Sequence, residues 1–291
     1  MSDSGSRESR RQDMAGSSPA GPGRVPPRRA PVRQVSAAAV FGALLLRDAT
    51  VARRELPAFL VRVTFQPLMF VTVFGYLMPL MALMDRSYTA TLLPGIIGVT
   101  LAFSSLQGVA LPMVADLGLT REIEDRLLAP IPTWLVALQK VVAGVIQGTI
   151  AALFVLPVAR LIMGPIPNLT MSHAGEVLAV TLLGAATFST LGLLLGTVVS
   201  GPQIGLVFSM IVAPMIMFGC AYYPWKALFH VPVIQYAMLV NPLVYVSEGM
   251  RAALTPDLPH MSLRTVVAAL TVITGLFWWL GLKTFLRRSH S

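Results

Sequence analysis

Six runs of mostly apolar residues dominate the sequence, and each is long enough to cross a lipid bilayer as a helix. They lie at about residues 63–84, 92–114, 141–163, 177–199, 204–223 and 265–282. A helix rises about 1.5 Å per residue, so roughly 20 apolar residues cross the hydrocarbon layer. A helix satisfies its own backbone polar groups in lipid, and these runs lack the alternation of barrel strands. Together with a mean hydropathy of +0.72, they predict an all-α integral membrane protein with six transmembrane helices.

The residues before the first run are more polar and more basic than the rest of the chain. Residues 1–36 are rich in Ser, Gly, Pro and Arg and contain no apolar run, so we expect a disordered basic arm. Residues 38–58 carry apolar and Arg positions on different faces at helical spacing. This indicates either an amphipathic helix lying in the inner membrane interface or a frayed linker. The predicted organisation is therefore an arm, 1–36, and one transmembrane domain, 37–288.

The distribution of positive charge predicts the orientation of the chain. If the six runs alternate from a cytoplasmic N-terminus, 17 of the 22 Lys and Arg residues are cytoplasmic: eleven before Val63, three between Arg121 and Lys140, and three in the tail. Because Lys and Arg are retained on the cytoplasmic side, both termini are predicted to lie there. Residues 224–262 are also apolar, but Asn241-Pro242 divides them into pieces too short to cross. We expect an extracellular re-entrant helical pair before the last span.

A short charged segment, REIEDR at residues 121–126, separates the second and third apolar runs. Oppositely charged residues four positions apart, behind a suitable N-cap at Thr120, predict a helix over about 118–129. Pro130 and Pro132 would end it. One interpretation is an amphipathic cytoplasmic helix that passes force from a soluble partner into the second and third spans. The other is a solvated loop helix whose charges only keep it in water.

Few residues in the sequence are suited to catalysis or to binding a cofactor. Cys220 is the single cysteine, and the four His have no ligand spacing, so no metal site is predicted. No G-x-x-x-x-G-K-[ST] motif occurs, so the chain lacks that type of ATP site. The spans contain no Asp, Glu, Lys or His, which disfavours an ion-coupled secondary transporter, the main alternative. A membrane-embedded transferase is less favoured, because residues 122–125 form the only acidic cluster.

Two motifs resemble those of the permease subunits of ABC-2 type transporters, notably the daunorubicin-resistance branch that exports drugs and lipids. The first is REIEDRLLAPIPTW, residues 121–134, between the second and third spans. The second is NPLVYVSEGMRAAL, residues 241–254, before the last span. The resemblance covers about residues 38–288, and it supplies no role for the N-terminal arm.

This resemblance implies the membrane-spanning subunit of an ATP-driven exporter in a bacterial cytoplasmic membrane. Such a subunit moves a drug, lipid or lipid-linked glycan out of the cell by alternating access and has no catalytic residue. ATP binds to a separate ABC ATPase subunit, and a second permease copy or a sister permease completes the transporter. The residues implied to contact the ATPase are Arg121, Glu122, Glu124, Asp125, Arg126, Leu127 and Leu128. Those implied in an extracellular gate are Asn241, Pro242, Tyr245, Glu248 and Arg251.

Three questions stay open at this level. Glu248 and Arg251 are three residues apart, so they could also form an ordinary pair on a half-wet surface. The motifs Gly144-x-x-x-Gly148 and Gly192-x-x-x-Gly196 allow close helix contact, either within the chain or between two permeases. Polar residues in the spans can join helices or line an amphipathic path, among them Ser104, Gln107 and Gln147.

Overall fold

The computed structural model describes Gly42, Leu46, Thr50 and residues 53–54, 56–61, 65, 67–82, 87–118, 133–163 and 172–289. The predicted arm, residues 1–36, lies outside these residues. So does the charged helix predicted over about 118–129, apart from Gly118, which is helical. Of the predicted interfacial helix, 38–58, the described residues are helical.

From Pro67 onward, the described residues form eight helices. They are α1 (Pro67–Leu80), α2 (Ser87–Gly118), α3 (Thr133–Met163), α4 (Ala174–Val198), α5 (Ile204–Met217), α6 (Pro232–Ala237), α7 (Pro242–Leu254) and α8 (Leu263–Ser289). Within α1, residues Val71–Leu77 have π-helical hydrogen bonding. Short 3₁₀ turns precede α5, precede α6 and follow it. No strand occurs in the described ranges, which agrees with the predicted all-α class.

Four of the six predicted spans are confirmed as helices that are long and apolar enough to cross a membrane. They lie at Tyr88–Leu117, Trp134–Ile162, Ala174–Val198 and Leu263–Arg288, in α2, α3, α4 and α8. The other two runs appear as shorter apolar helices, Pro67–Leu80 and Gly201–Met217. At about 1.5 Å per residue these rise about 21 and 26 Å, less than the ~30 Å hydrocarbon layer. The count of six spans therefore remains a prediction.

Helix α2 is the centre of the bundle and contacts α3, α4 and α7. Both glycine motifs face it. A Cβ atom on Gly192 of α4 would lie 2.7 Å from the Leu106 carbonyl oxygen of α2, and Gly148 of α3 lies against Ser105. Because a side chain would not fit there, the glycines allow the backbones to approach. The close contacts predicted from these motifs lie within the chain.

The packing also fixes the helix directions. Gly184 of α4 lies against Leu101 of α2 and Gly196 against Met113, so α2 and α4 run the same way. Helix α8 packs parallel to α4 and is hydrogen-bonded to it through two threonine pairs, Thr187–Thr274 and Thr197–Thr284, each with 2.7 Å between hydroxyl oxygens. Helix α3 runs in the opposite direction. One end of the bundle, here called the loop end, therefore holds the C-terminal ends of α2, α4 and α8 and the start of α3. The other end is called the α7 end.

Candidate functional site

The seven residues predicted to contact an ATPase, Arg121 to Leu128, lie outside the described residues, but both helices that carry this segment are described. Near the end of α2, the Asp116 carboxylate pairs with the Lys140 ammonium of α3, with 2.7 Å between Oδ2 and Nζ. Each side chain is only 13% exposed. The pair therefore ties together the two chain ends that enter and leave residues 119–132. Sequence reasoning missed it, although opposite charges on either side of the loop were a signal.

Apolar packing also holds the helices together at the loop end; this packing and the Asp116–Lys140 pair are here called the frame. A buried cluster joins α2, α3, α4 and α8, and its members are Val109, Met113, Val136, Ala137, Val141, Leu193 and Phe285. Arg288 near the end of α8 donates from Nη1 to the Thr197 carbonyl of α4 at 2.7 Å. That carbonyl belongs to the last turn of a helix, where backbone acceptors lack intrahelical donors. Four helices are thus fixed to one another beside residues 119–132.

Asn241 and Pro242, predicted as gate residues, begin α7. The Asn241 Oδ1 accepts from the Leu243 amide at 3.0 Å, which is an N-cap, and Pro242 occupies the first helical position, where no amide donor is needed. The Asn241 Nδ2 donates to the Met215 carbonyl of α5 at 2.7 Å. One side chain therefore both starts α7 and attaches it to the end of α5.

The Glu248 carboxylate is buried and accepts three hydrogen bonds. Its Oε1 accepts from the Trp225 amide at 2.8 Å and from Arg251 Nη1 at 2.5 Å, and its Oε2 accepts from the Met261 amide at 2.8 Å. Tyr245, another predicted gate residue, donates from its hydroxyl to the Leu239 carbonyl at 2.9 Å. The Glu248 carboxylate therefore connects α7 to the segments that precede α6 and α8.

Arg251, one turn along α7 from Glu248, completes this network. Its Nη2 donates to the Thr91 carbonyl of α2 at 3.2 Å and to the Cys220 carbonyl at 3.1 Å. Cys220 lies in the turn after α5 and has a φ of 51°, in the left-handed region that non-glycine residues rarely adopt. Burial lowers the pKa of Arg251, and the Glu248 carboxylate beside it opposes that shift.

Both side chains of the Glu248–Arg251 pair have zero exposure. The interpretation as a pair on a half-wet surface is therefore wrong. Spacing along one helix could not reveal this, because the burial comes from α2, the turn after α5 and the loop before α8. Gly95 of α2 lies directly against Ala221, which allows that turn to approach the α2 backbone. The five predicted gate residues thus fall in one buried, cross-connected region at the α7 end, and their role as a gate stays a prediction.

A cleft of about 110 Å³ opens between α1, α2 and α3. Aromatic and aliphatic side chains form much of its wall, including Phe70, Ile96 and Phe103. Its polar lining comprises Thr100, Ser104, Gln107, Gln147 and Tyr222. Three polar residues noted in the spans, Ser104, Gln107 and Gln147, therefore meet at one amphipathic surface. In the described ranges, no three His, Cys, Asp or Glu side chains converge on a position suited to a metal ion.

A bundle of long apolar helices with ion pairs at both ends defines a multi-pass α-helical membrane protein. Residues 39–255 match the ABC-2 type transporter family, and the chain belongs to that family. It is 28% identical over 204 residues to the inner membrane transport permease YadH of Escherichia coli strain K12. The alignment covers 66% of this chain and 74% of that protein. The same values hold for YadH of Shigella flexneri. The chain is therefore a transporter permease with a relative in the bacterial inner membrane.

Proposed function

We propose that the chain is the membrane-spanning subunit of an ATP-driven exporter and that it works with a separate ABC ATPase subunit. The family match and the similarity to an inner membrane transport permease support this proposal. The chain has no Walker motif, so ATP would be hydrolysed by the partner. A second copy of the chain, or a sister permease, would supply the other half of the translocation route.

The observation that carries the proposal is the frame at the loop end. The Asp116–Lys140 pair and the buried cluster fix α2 and α3 to each other beside residues 119–132. A soluble partner that pushed on this segment would therefore move two membrane-spanning helices together. The residues proposed to receive that force are Arg121, Glu122, Glu124, Asp125, Arg126, Leu127 and Leu128.

The proposed topology has six spans and two cytoplasmic termini. Helices α1 and α5 would complete the count, and the excess of Lys and Arg supports the loop end as the cytoplasmic one. Residues 225–254 would form the re-entrant pair at the extracellular side. Helix α7 has 13 residues and rises about 20 Å, which is too short to cross and long enough to cover the exit of a route.

The proposed substrate is hydrophobic or amphipathic: a drug, a lipid or a lipid-linked glycan. The cleft between α1, α2 and α3 supports this class, because apolar walls and uncharged hydrogen-bonding groups occur side by side in it. Relationship to the daunorubicin-resistance branch is part of the proposal and is supported by the two sequence motifs. Alternating access would expose the route first to one side of the membrane and then to the other.

The test is to express the chain with its candidate ATPase and to measure capture of that subunit and ATP hydrolysis stimulated by substrate. Glu124→Arg and Leu127→Asp should abolish both while leaving membrane insertion intact. Glu176→Arg is the matched control, because Glu176 is a half-exposed acid at the α7 end. Unchanged capture by the two loop variants would contradict the proposal. Transport that an ionophore abolishes at constant ATP would favour the ion-coupled alternative.

A further inference from the structure

Helix α8 presents a continuous exposed stripe that changes from apolar to cationic toward the loop end. Its members, in chain order, are Val272, Leu276, Trp279, Lys283 and Arg287, and all five are exposed. At about 100° per residue they fall within an arc of roughly 80° on one face of the helix. From the α7 end toward the loop end, the face therefore presents first apolar side chains, then an aromatic ring and then two cations.

The dimensions of the stripe match those of one membrane leaflet. Lys283 follows Val272 by eleven positions, which is a rise of about 16 Å, close to half of the ~30 Å hydrocarbon layer. The Lys283 ammonium lies 4.9 Å from the centre of the Trp279 ring. Tryptophan prefers the boundary between hydrocarbon and headgroups. An acyl chain along Val272 and Leu276 would consequently place its headgroup beside the cations.

The two cations have no carboxylate partner among the described residues. The described acidic residues, which all lie elsewhere or are paired, are Asp116, Glu176, Glu248 and Asp257. The neighbouring Arg288 differs from Arg287, because it donates to the carbonyls at the end of α4. Among the described side chains, therefore, no carboxylate competes with an anionic group for Lys283 and Arg287.

We propose that this stripe is a binding site for an anionic phospholipid, with the phosphate held between Lys283 and Arg287 and an acyl chain against Val272 and Leu276. A second copy of the chain packed here about a two-fold axis would place the same two cations opposite each other, which repulsion disfavours. A zwitterionic lipid would bring an additional positive group to the same place. A phosphate with net negative charge complements the site.

The experiment uses the full chain in vesicles of dibrominated phosphatidylcholine, whose bromine atoms quench tryptophan emission. The emission of Trp279 is obtained by subtracting the spectrum of the Trp279→Phe variant. Unlabelled phosphatidylglycerol is then added in increasing proportion. An anionic lipid that displaces the brominated lipid from the stripe restores emission more than its mole fraction predicts. A cation near a membrane surface favours anionic lipid by about fivefold, so a preference of roughly 5- to 25-fold is expected for the two together.

The double variant Lys283→Gln/Arg287→Gln should bind both lipids equally, so that recovery follows mole fraction. Arg264→Gln is the matched control, because it removes an exposed arginine from the opposite end of the same helix. It should leave the preference unchanged. Equal binding of both lipids by the wild type, or a preference that survives in the double variant, would overturn the proposal. So would an absence of quenching by brominated lipid, which would mean that protein covers the face.

Discussion

The buried carboxylate of Glu248 provides the sharpest test of how the α7 end is held together. Replacing it by Gln keeps the size of the side chain and one oxygen acceptor, but it removes the charge that faces Arg251. The substitution also places an NH₂ group where a carboxylate oxygen now accepts a backbone amide, from either Trp225 or Met261. Removing one member of a fully buried ion pair costs about 3–5 kcal/mol, mostly because the remaining charge stays buried and unpaired.

The assay is thermal unfolding of the purified protein in detergent, followed by the reaction of a fluorescent maleimide with Cys220. This thiol is suitable because it is the single cysteine of the chain and is fully buried. A shift of about 2–4 °C accompanies each kcal/mol in a domain of this size, so Glu248→Gln should lower Tm by on the order of 10 °C. The control, Glu176→Gln, breaks a pair that is 41–45% exposed, and we expect less than about 1 kcal/mol of destabilisation.

A double-mutant cycle identifies the cause of the loss. Arg251→Met removes the other charge, and on its own it leaves the carbonyl groups of Thr91 and Cys220 without this donor. In the double variant neither charge remains, so its destabilisation should fall short of the sum of the single changes by about 0.5–3 kcal/mol. If Glu248→Gln shifts Tm no more than Glu176→Gln does, or if the two losses simply add, the buried pair does not hold this region together.

Three further predictions concern other contacts of the bundle. Gly192→Ala should lower Tm, because its Cβ would lie 2.7 Å from a backbone oxygen of α2. Gly275 has open space around it, so Gly275→Ala should raise stability by up to ~1 kcal/mol through helix propensity. Shifts of opposite sign in one thermal scan are the check. Asn241→Ala should cost about 1–2 kcal/mol in the same scan, since it removes both the N-cap of α7 and the attachment to α5. Asp116→Lys and Lys140→Asp should each lower ATP-dependent transport several-fold without loss of ATPase capture. The double variant with the two charges exchanged should restore transport. If it does not, the ion pair does not link the two helices.

Much of the architecture follows from local properties of the sequence. The length of an apolar run decides whether a helix can cross a membrane, and four of the six runs form helices of sufficient length. Asn241-Pro242 begins a helix because a capping side chain and a residue without an amide donor suit the first positions of any helix. These features depend on residues that are adjacent in the chain. The sequence alone was therefore enough to predict the apolar runs and the break at Asn241-Pro242, whereas the N-cap at that break was seen only in the structure.

The partners of individual side chains depend on which helices meet, and only the tertiary structure decided them. Glu248 and Arg251 have the spacing of an ordinary surface pair, but α2 and two connecting segments enclose them completely. The glycine motifs indicate close helix contact, and the packing directs both toward α2 rather than toward a second permease. Asp116 and Lys140 lie on different helices and become partners because α2 and α3 are antiparallel. Sequence periodicity defines the face of a helix, whereas the identity of the facing residue is a property of the assembled bundle.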